Sequence, residues 1–388
     1  MATIELPQTE IASMSLQVQC GALDDPVHQI GAAHLLEHVI AEMPFRHPRA
    51  RPELAGLIKS GFDLEASTGF TSTTYETDCL AQQTKATLRE LIRLVLRPSA
   101  SPQHFATEKK VVSVESRTTP EEYESYQRLD LLFPGNPALL KTVTGDLVSI
   151  RALSMDDLMR VHERFYVSER MTLWIASPMT HDEVVSCVLA SSIPSGGGQR
   201  PVAHTQRLAQ GDLRYESVDV GAEILFNAPS VPRRKQRAVI AVENLLTDHS
   251  YGSIAQVLRR KLGQSYGINA AHEWMPLGSA AVIDLDTASP EAIDIALAAV
   301  NNLKRGRINP QHWNGYLSQL PLTDAIGREL MRTMRIQDAD NLIEQVALDP
   351  DLTEDEQPLI PEPTRDEIVR MANELFASEP TILRRVLS

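Results

Sequence analysis

The sequence predicts two domains of similar design, each of which combines strands and helices. Three observations support this prediction. The run at 191–199, Ser-Ser-Ile-Pro-Ser-Gly-Gly-Gly-Gln, lies near the midpoint of the 388 residues, and Gly and Ser give such a segment little reason to order. Each half opens with a strand-like run, at 15–20 and at 222–226. Each then continues with long helical patterns, so the two halves resemble variations on one design, as an internal duplication would produce.

The predicted boundaries are 1–193 for the first domain, 194–200 for the linker and 201–388 for the second domain. A chain of this length holds two domains of ordinary size. Its hydrophobic content of 43% and charged content of 23% are typical of a soluble globular protein.

Within the first half, a helix is predicted over about 31–43, where Pro44 stops it. A polar stretch at 65–80 favours strand, because it holds Thr71, Thr73, Thr74 and Tyr75. An apolar pattern at 86–96 predicts the next helix.

A further helix is predicted to begin at Ser101 and Pro102, with the serine as cap and the proline at the first helical position. Glu108 and Glu115 lie on that helix. They are seven residues apart, which is two turns, so they share one face.

The residues at 34–38 read His-Leu-Leu-Glu-His. Residues four apart lie on one face of a helix, so His34 and His38 can present two imidazoles to one metal ion. Glu37 is close enough to reach a water on that ion. This H-x-x-E-H pattern is the inverted zinc-peptidase motif, the inverzincin signature. The alternatives are a chance match of the pattern and a surface helix whose histidines are satisfied by other contacts. The presence of Glu115 on a helix of its own argues against both.

Two neutral imidazoles and one carboxylate form a common catalytic zinc set with a fourth position for water. His34, His38 and Glu115 would supply it, with one zinc ion per chain. Such an ion lowers the pKa of its water to roughly 7. Glu37 would then take the proton as general base and return it to the leaving amine. Glu108 would accept a hydrogen bond from a ligating histidine and orient it.

Composition argues against several other classes of protein. A net charge of −14 argues against nucleic acid as a partner, because phosphate binding needs clustered Lys and Arg. The acidic charge fits either a solvated surface or an interior that attracts cationic peptides. The chain shows no apolar run long enough for a membrane span and no secretory pattern at its first residues. Three widely spaced cysteines fit a reducing compartment, so we expect the chain in the cytoplasm.

These motifs resemble those of the pitrilysin/insulinase family of zinc metallopeptidases. The run at 31–38, Gly-Ala-Ala-His-Leu-Leu-Glu-His, resembles the family's G-l-a-H-f-L-E-H. The 76 residues between His38 and Glu115 equal the family's spacing to its third ligand, and Glu108 matches the other glutamate of that helix. The resemblance covers nearly the whole chain. In size and domain count the chain resembles the mitochondrial-processing-peptidase-like branch with two domains.

The second half resembles the family as well. The run at 258–266, Leu-Arg-Arg-Lys-Leu-Gly-Gln-Ser-Tyr, is similar to the family's L-R-e-K-L-G-l-a-Y. The resemblance implies that Arg259 and Tyr266 help to hold and polarise the substrate. It also implies an α+β fold of two similar domains, each a mainly antiparallel sheet with helices packed on it, which together form half of a clamshell chamber.

In the family, the substrate peptide lies as an added strand on a sheet edge beside the zinc. The matching edge here is Glu65, Ala66, Ser67 and Thr68. The family usually has Asn-Ala at this edge. Glu65 departs from that pattern, and an ionised glutamate only accepts hydrogen bonds, whereas asparagine also donates them.

The resemblance implies a zinc-dependent endopeptidase that hydrolyses short unfolded peptides, either in general peptide clearance or in the processing of a leader peptide. Because one chain carries both the zinc motif and the pair Arg259 and Tyr266, we expect a homodimer in which this pair acts in trans. A heterodimeric processing peptidase is the alternative assembly. A non-catalytic structural subunit, or a chamber that binds peptides without cutting them, is the alternative function.

Overall fold

The computed structural model describes the greater part of the chain, and its described residues form two compact units. The first unit holds 1–126 and 143–196, apart from the gaps given next, and the second holds 127–135, 206–318 and 362–387. None of the helices in this part of the chain is long and apolar enough to cross a bilayer. The described residues are 1–43, 52–116, 120–135, 143–196, 206–232, 235–247, 253–263, 267–318 and 362–387.

The first unit contains a five-stranded sheet with the order β1-β5-β2-β4-β3. β1 runs parallel to β5, and the other neighbours are antiparallel. β3 lies at one edge of this sheet and is only four residues long. The strands are β1 (Ala2–Glu5), β2 (Ile11–Val18), β3 (Glu65–Thr68), β4 (Thr73–Leu80) and β5 (Met171–Ser177).

Alternation along β2 decides which face of the sheet the helices cover. Met14, Leu16 and Val18 are buried and belong to one core cluster with apolar side chains of the helices. Ser13 and Ser15 point to the opposite face, where their hydroxyls donate to acidic side chains of β4. The helices of this unit are α1 (Ala32–Ala41), α2 (Pro52–Lys59), α3 (Thr84–Leu96), α4 (Pro102–Glu115), α6 (Leu147–Ala152), α7 (Met155–Phe165) and α8 (His181–Ala190), while α5 (Pro120–Leu132) is divided between the two units.

The second unit repeats the strand order of the first. Its five-stranded sheet has the order β6-β10-β7-β9-β8, which in chain order is again first, fifth, second, fourth, third. The pair of first and fifth strands is again the parallel one. The strands are β6 (Gly211–Ser217), β7 (Gly221–Asn227), β8 (Ile268–Met275), β9 (Gly278–Leu285) and β10 (Thr381–Leu387). The helices are α9 (Gln236–Thr247), α10 (Ile254–Leu262), α11 (Pro290–Lys304) and α12 (Arg365–Leu375).

Charged contacts attach the end of α5 and the edge of β8 within the second unit. Arg128 of α5 donates to Glu223 of β7 at 2.7 Å and to Glu273 of β8 at 3.0 Å, which explains why 127–135 belong to this unit. Burial lowers the pKa of Arg128, whereas the two carboxylates raise it. The carboxylates dominate, so the pKa lies above its usual value. On β8, the His272 amide donates to the Glu243 carboxylate of α9 at 2.8 Å.

The predicted fold of two similar α+β domains with mainly antiparallel sheets is confirmed. The helix predicted over 31–43 is α1, and the helix predicted at 86–96 is α3. The stretch at 65–80 is two strands rather than one, because Gly69 and Ser72 close a turn through a backbone hydrogen bond of 2.8 Å. Residues 197–200 of the predicted linker, and the stop at Pro44, lie outside the described residues.

Candidate metal centre

The start of α1 is set by a carboxylate upstream of it. Gly31 precedes the helix with a φ of +91°, a left-handed conformation that favours glycine. Asp25 accepts hydrogen bonds from the amides of Gly31 at 2.7 Å and Ala33 at 2.9 Å, two donors that the first turn cannot satisfy itself. Sequence reasoning missed Asp25, because it stands six residues before Gly31 and matches no local capping pattern.

α1 brings its two histidines and Glu37 to one place. Ligand atoms of His34, Glu37 and His38 all lie within 4.8 Å of one another. The two imidazole rings meet edge to face with centroids 4.7 Å apart. His34 and Glu37 are buried and His38 is half-buried.

α4 brings the predicted third ligand to the same place. Ser101 caps this helix as predicted, since its hydroxyl accepts from the His104 amide at 3.1 Å. Glu115 Oε2 lies 3.1 Å from His38 Nε2 and 3.8 Å from His34 Nε2. Glu108 is buried on the same face, with its Oε2 3.8 Å from His38 Nδ1, on the other side of that ring.

These atoms fit a tetrahedral zinc site. Zinc bonds of 2.0–2.1 Å place neighbouring ligand atoms about 3.3 Å apart, close to the separations of Glu115 from both imidazoles. Two nitrogens and one carboxylate oxygen are also the donor set of catalytic zinc sites. The residues present therefore fit the metal that the motif predicts.

Burial shifts the pKa of two residues of this cluster, His34 and Glu37. It lowers the pKa of His34 to about 3, with a smaller effect from His38, so this imidazole is neutral as a metal ligand must be. Burial raises the pKa of Glu37 to about 7, and Glu115 adds to this, whereas His38 and a hydrogen bond from Thr68 lower it.

The predicted substrate edge is the edge strand of the first sheet. Glu65, Ala66, Ser67 and Thr68 are β3, and no strand among the described residues pairs with its outer side. Glu65 lies directly opposite Glu76 of β4, so two carboxylates face each other across the strands. The role of this edge in binding a peptide stays a prediction.

The predicted substrate pair is only partly described. Arg259 lies exposed on α10 of the second unit, next to the left-handed Gly263 that ends the helix. Tyr266 lies outside the described residues. The assignment of this pair to substrate binding therefore stays a prediction.

Two units of this fold, with a histidine and glutamate cluster on the first, define a class of protein. The family model for the insulinase peptidases, family M16, matches residues 1–133. The model for the inactive domain of peptidase M16 matches residues 152–320. These matches cover most of the chain, so the chain belongs to peptidase family M16. The resemblance to the pitrilysin/insulinase family is confirmed.

Individual relatives are distant. An uncharacterized zinc protease of Mycobacterium leprae (strain TN) is 28% identical over 192 residues, which are 48% of this chain and 42% of that protein. Mitochondrial-processing peptidase subunit beta of Caenorhabditis elegans is 27% identical over 178 residues, 45% of this chain and 38% of that protein. The matches thus span less than half of these relatives' length. A crystal structure of a protease from Helicobacter pylori covers 99% of this chain and 95% of its own with a TM-score of 0.67, at 17% identity.

Proposed function

We propose that the chain is a zinc-dependent endopeptidase that hydrolyses short unfolded peptides. The observation that carries this proposal is the convergence of His34 Nε2, His38 Nε2 and Glu115 Oε2, with the buried Glu37 carboxylate 3.7 Å from His34 Nε2. Membership of the M16 family and the name of the mycobacterial relative support it.

Each residue of the cluster has a role in this proposal. His34, His38 and Glu115 hold the zinc ion, one per chain, which supplies Lewis-acid activation of water and of the scissile carbonyl. Glu37 accepts the proton of the attacking water and returns it to the leaving amine. Glu108 lies on the far side of the His38 ring and keeps that ring oriented.

The peptide is proposed to add as a strand to the edge formed by β3. Arg259 and Tyr266 of a second copy would then fix the peptide and polarise its carbonyl, so that a homodimer encloses one chamber with two sites. A heterodimer is the alternative, supported by a relative whose name makes it one subunit of a processing peptidase. We place this activity in the cytoplasm, without a nucleic-acid or membrane partner, in peptide clearance or leader processing.

Digestion of a mixed peptide library by the purified chain, read by mass spectrometry, tests the proposal. The control is Glu37→Gln, which keeps the shape of the side chain but removes its basicity. We expect cleavage by the zinc-loaded wild type alone, with equal zinc content in both proteins. Cleavage by both would refute the role of Glu37. Cleavage by neither, at full zinc occupancy, would favour a non-catalytic family member or a missing partner subunit.

Light scattering of the same preparation tests the assembly. An active monomer at nanomolar concentration would contradict a site shared between two chains. A dimer would agree with the proposal, and mixing Glu37→Gln with Arg259→Ala chains would then restore part of the activity if the two residues act from different subunits.

A further inference from the structure

We propose that Thr68 is a positioning residue for Glu37. Its hydroxyl holds the carboxylate of the base at a fixed place beside the strand that receives the peptide. This inference rests on the proposed function, because a base has a role only where a peptide is cleaved. Thr68 would act through its side chain, whereas the peptide would be bound by the backbone of the same strand.

The contact joins α1 to the edge strand β3. Thr68 Oγ1 donates a hydrogen bond to Glu37 Oε2 at 3.3 Å. Thr68 is the last residue of β3, and alternation places its side chain on the same side as Ala66, which packs on the core beneath α1. Glu65 and Ser67 point to the other side and are exposed. The hydroxyl of Thr68 is therefore aimed at α1 by the pleat of the strand.

A second threonine limits where the Thr68 proton can go. Thr73 lies directly opposite Thr68 on β4, with their hydroxyl oxygens 3.3 Å apart. The hydroxyl of Thr73 donates to the Cys20 carbonyl at 2.9 Å. Each hydroxyl has one proton, so the proton of Thr68 remains for Glu37 or Thr73. An ionised carboxylate is the stronger acceptor, which favours the bond to Glu37.

Thr73 lies in a buried part of the sheet. Thr73, Tyr75 and Tyr166 are all buried, and the hydroxyl oxygens of the two tyrosines lie 2.8 Å apart. The Tyr166 ring stacks on His162. Thr68 is therefore paired across the strands with a residue that is closed to solvent.

The placement predicts which kinetic constant changes. Loss of the Thr68 hydroxyl leaves the backbone edge of β3 intact, so peptide binding should change little. Glu37 would lose the hydrogen bond that holds its carboxylate next to β3. A misplaced catalytic group costs up to about 100-fold in rate. The effect should therefore fall on kcat rather than on KM.

The first experiment compares Thr68→Val, which removes the hydroxyl and keeps the shape, with Thr68→Ser, which keeps the hydroxyl. Thr74→Val is the matched control, because Thr74 lies on the same sheet with its side chain on the face away from α1. We expect Thr68→Val to keep full zinc content and a KM within about twofold, and to lose roughly 10- to 100-fold in kcat. Thr68→Ser and Thr74→Val should stay near the wild type. An unchanged kcat in Thr68→Val, or equal losses in Thr68→Val and Thr68→Ser, would overturn the proposal.

The second experiment needs neither zinc nor activity. Thermal unfolding in a chelator is measured for Thr68→Val in the wild type and in Glu37→Met, which removes the acceptor. We expect Thr68→Val to lower Tm by about 2–4 °C beside Glu37 and by much less beside methionine. Equal losses in both backgrounds would refute the contact. If the zinc-loaded wild type cleaves nothing, the proposed function fails, while this cycle still decides whether Thr68 holds Glu37.

Discussion

Gly31 and Gly145 touch through their backbones. A Cβ atom on Gly145 would lie 2.8 Å from Gly31 Cα and 2.6 Å from the Ile30 carbonyl oxygen, distances that real side chains do not adopt. Gly31 begins the helix that carries the histidines, and Asp146, the next residue after Gly145, caps α6. The contact therefore fixes where α1 begins relative to α6.

Replacing Gly145 with alanine should displace this junction. Gly145 has a φ of +81°, so alanine costs about 1 kcal/mol in backbone strain before any contact is counted. The clash with Gly31 adds to that cost. We expect Gly145→Ala to lower Tm by several degrees and to weaken zinc binding, as measured by thermal unfolding and by titration with a competing chelator.

Gly61→Ala is the matched control for this substitution. Gly61 also has a positive φ, of +99°, but a Cβ there would meet no atom within 4 Å. Its loss of stability should come from backbone strain alone and leave zinc affinity unchanged. Equal effects of the two alanines would show that close packing at Gly145 contributes nothing.

Asp25 should make the stability of the first unit depend on pH. Burial raises the pKa of Asp25 to about 7, against hydrogen bonds from the amides of α1 that lower it. The folded state then holds this proton up to a higher pH than the unfolded state, whose pKa is near 3.8. The contribution of Asp25 to the stability of the folded state is therefore fully present below about pH 4. It is lost as the pH rises from there through 7.

The variant Asp25→Asn tests this sign. Asparagine cannot ionise, so we expect its Tm to change less between pH 5 and pH 8 than that of the wild type. The difference should correspond to the order of 2 kcal/mol over this range. A wild type that gains stability relative to Asp25→Asn as the pH rises would mean that the helix cap holds Asp25 ionised in the folded state.

Zinc should stabilise the chain through the cluster on α1 and α4. A ligand at 100 times its Kd stabilises a folded protein by about 2.7 kcal/mol, so added zinc should raise Tm and a chelator should reverse the change. His38→Ala should abolish the response. His181→Ala is the control, because His181 lies exposed on α8 and contacts Thr3 rather than the cluster. A response that survives in His38→Ala would place the zinc elsewhere.

The same assay separates the two carboxylates near the histidines. Glu37 Oε2 lies 3.7 Å from His34 Nε2 and Glu115 Oε2 lies 3.8 Å from it, so this distance alone does not distinguish ligand from base. Only Glu115 also lies 3.1 Å from His38 Nε2 among the ion pairs of the described residues. We expect Glu115→Gln to lose most of the zinc-induced rise in Tm and Glu37→Gln to keep it. The reverse result would exchange their roles.

Removal of the charge on Glu65 should stabilise the first sheet. Like charges directly opposite on neighbouring strands are unfavourable, and Glu65 faces Glu76 in this way. We expect Glu65→Gln to gain about 0.2–1 kcal/mol in the free energy of unfolding, less at high salt. Glu10→Gln, an exposed glutamate outside the strands, is the control. A loss of stability in Glu65→Gln would mean that this carboxylate is used by a favourable contact.

Local patterns predicted the elements that carry the site. The range of α1 was predicted from Gly31 to a stop at Pro44, and the start of α4 was predicted from Ser101 and Pro102. The approach of Glu115 to His38 could not be predicted in this way, because it depends on how two helices pack, and periodicity describes one helix only. The resemblance to a family supplied that residue.

Long-range contacts explain what the sequence did not reveal. The division of 65–80 into β3 and β4 depends on a turn closed by a backbone hydrogen bond between Gly69 and Ser72. The resemblance to the family placed Thr68 on the substrate edge, but its hydroxyl bond to Glu37 joins residues 31 positions apart. Sequence spacing carries no signal for such a contact, since it arises only once sheet and helix are packed.

The carboxylate of Glu243 has a consequence for self-association. Edge strands are templates on which other chains can pair and aggregate, and proteins often block them with charged side chains. β8 occupies in its sheet the place that β3 occupies in the first. Yet the His272 amide of β8 is already bound to Glu243, so a chain that paired there would have to displace a carboxylate. Two sheets of one strand order thus differ in how readily each would nucleate unwanted pairing.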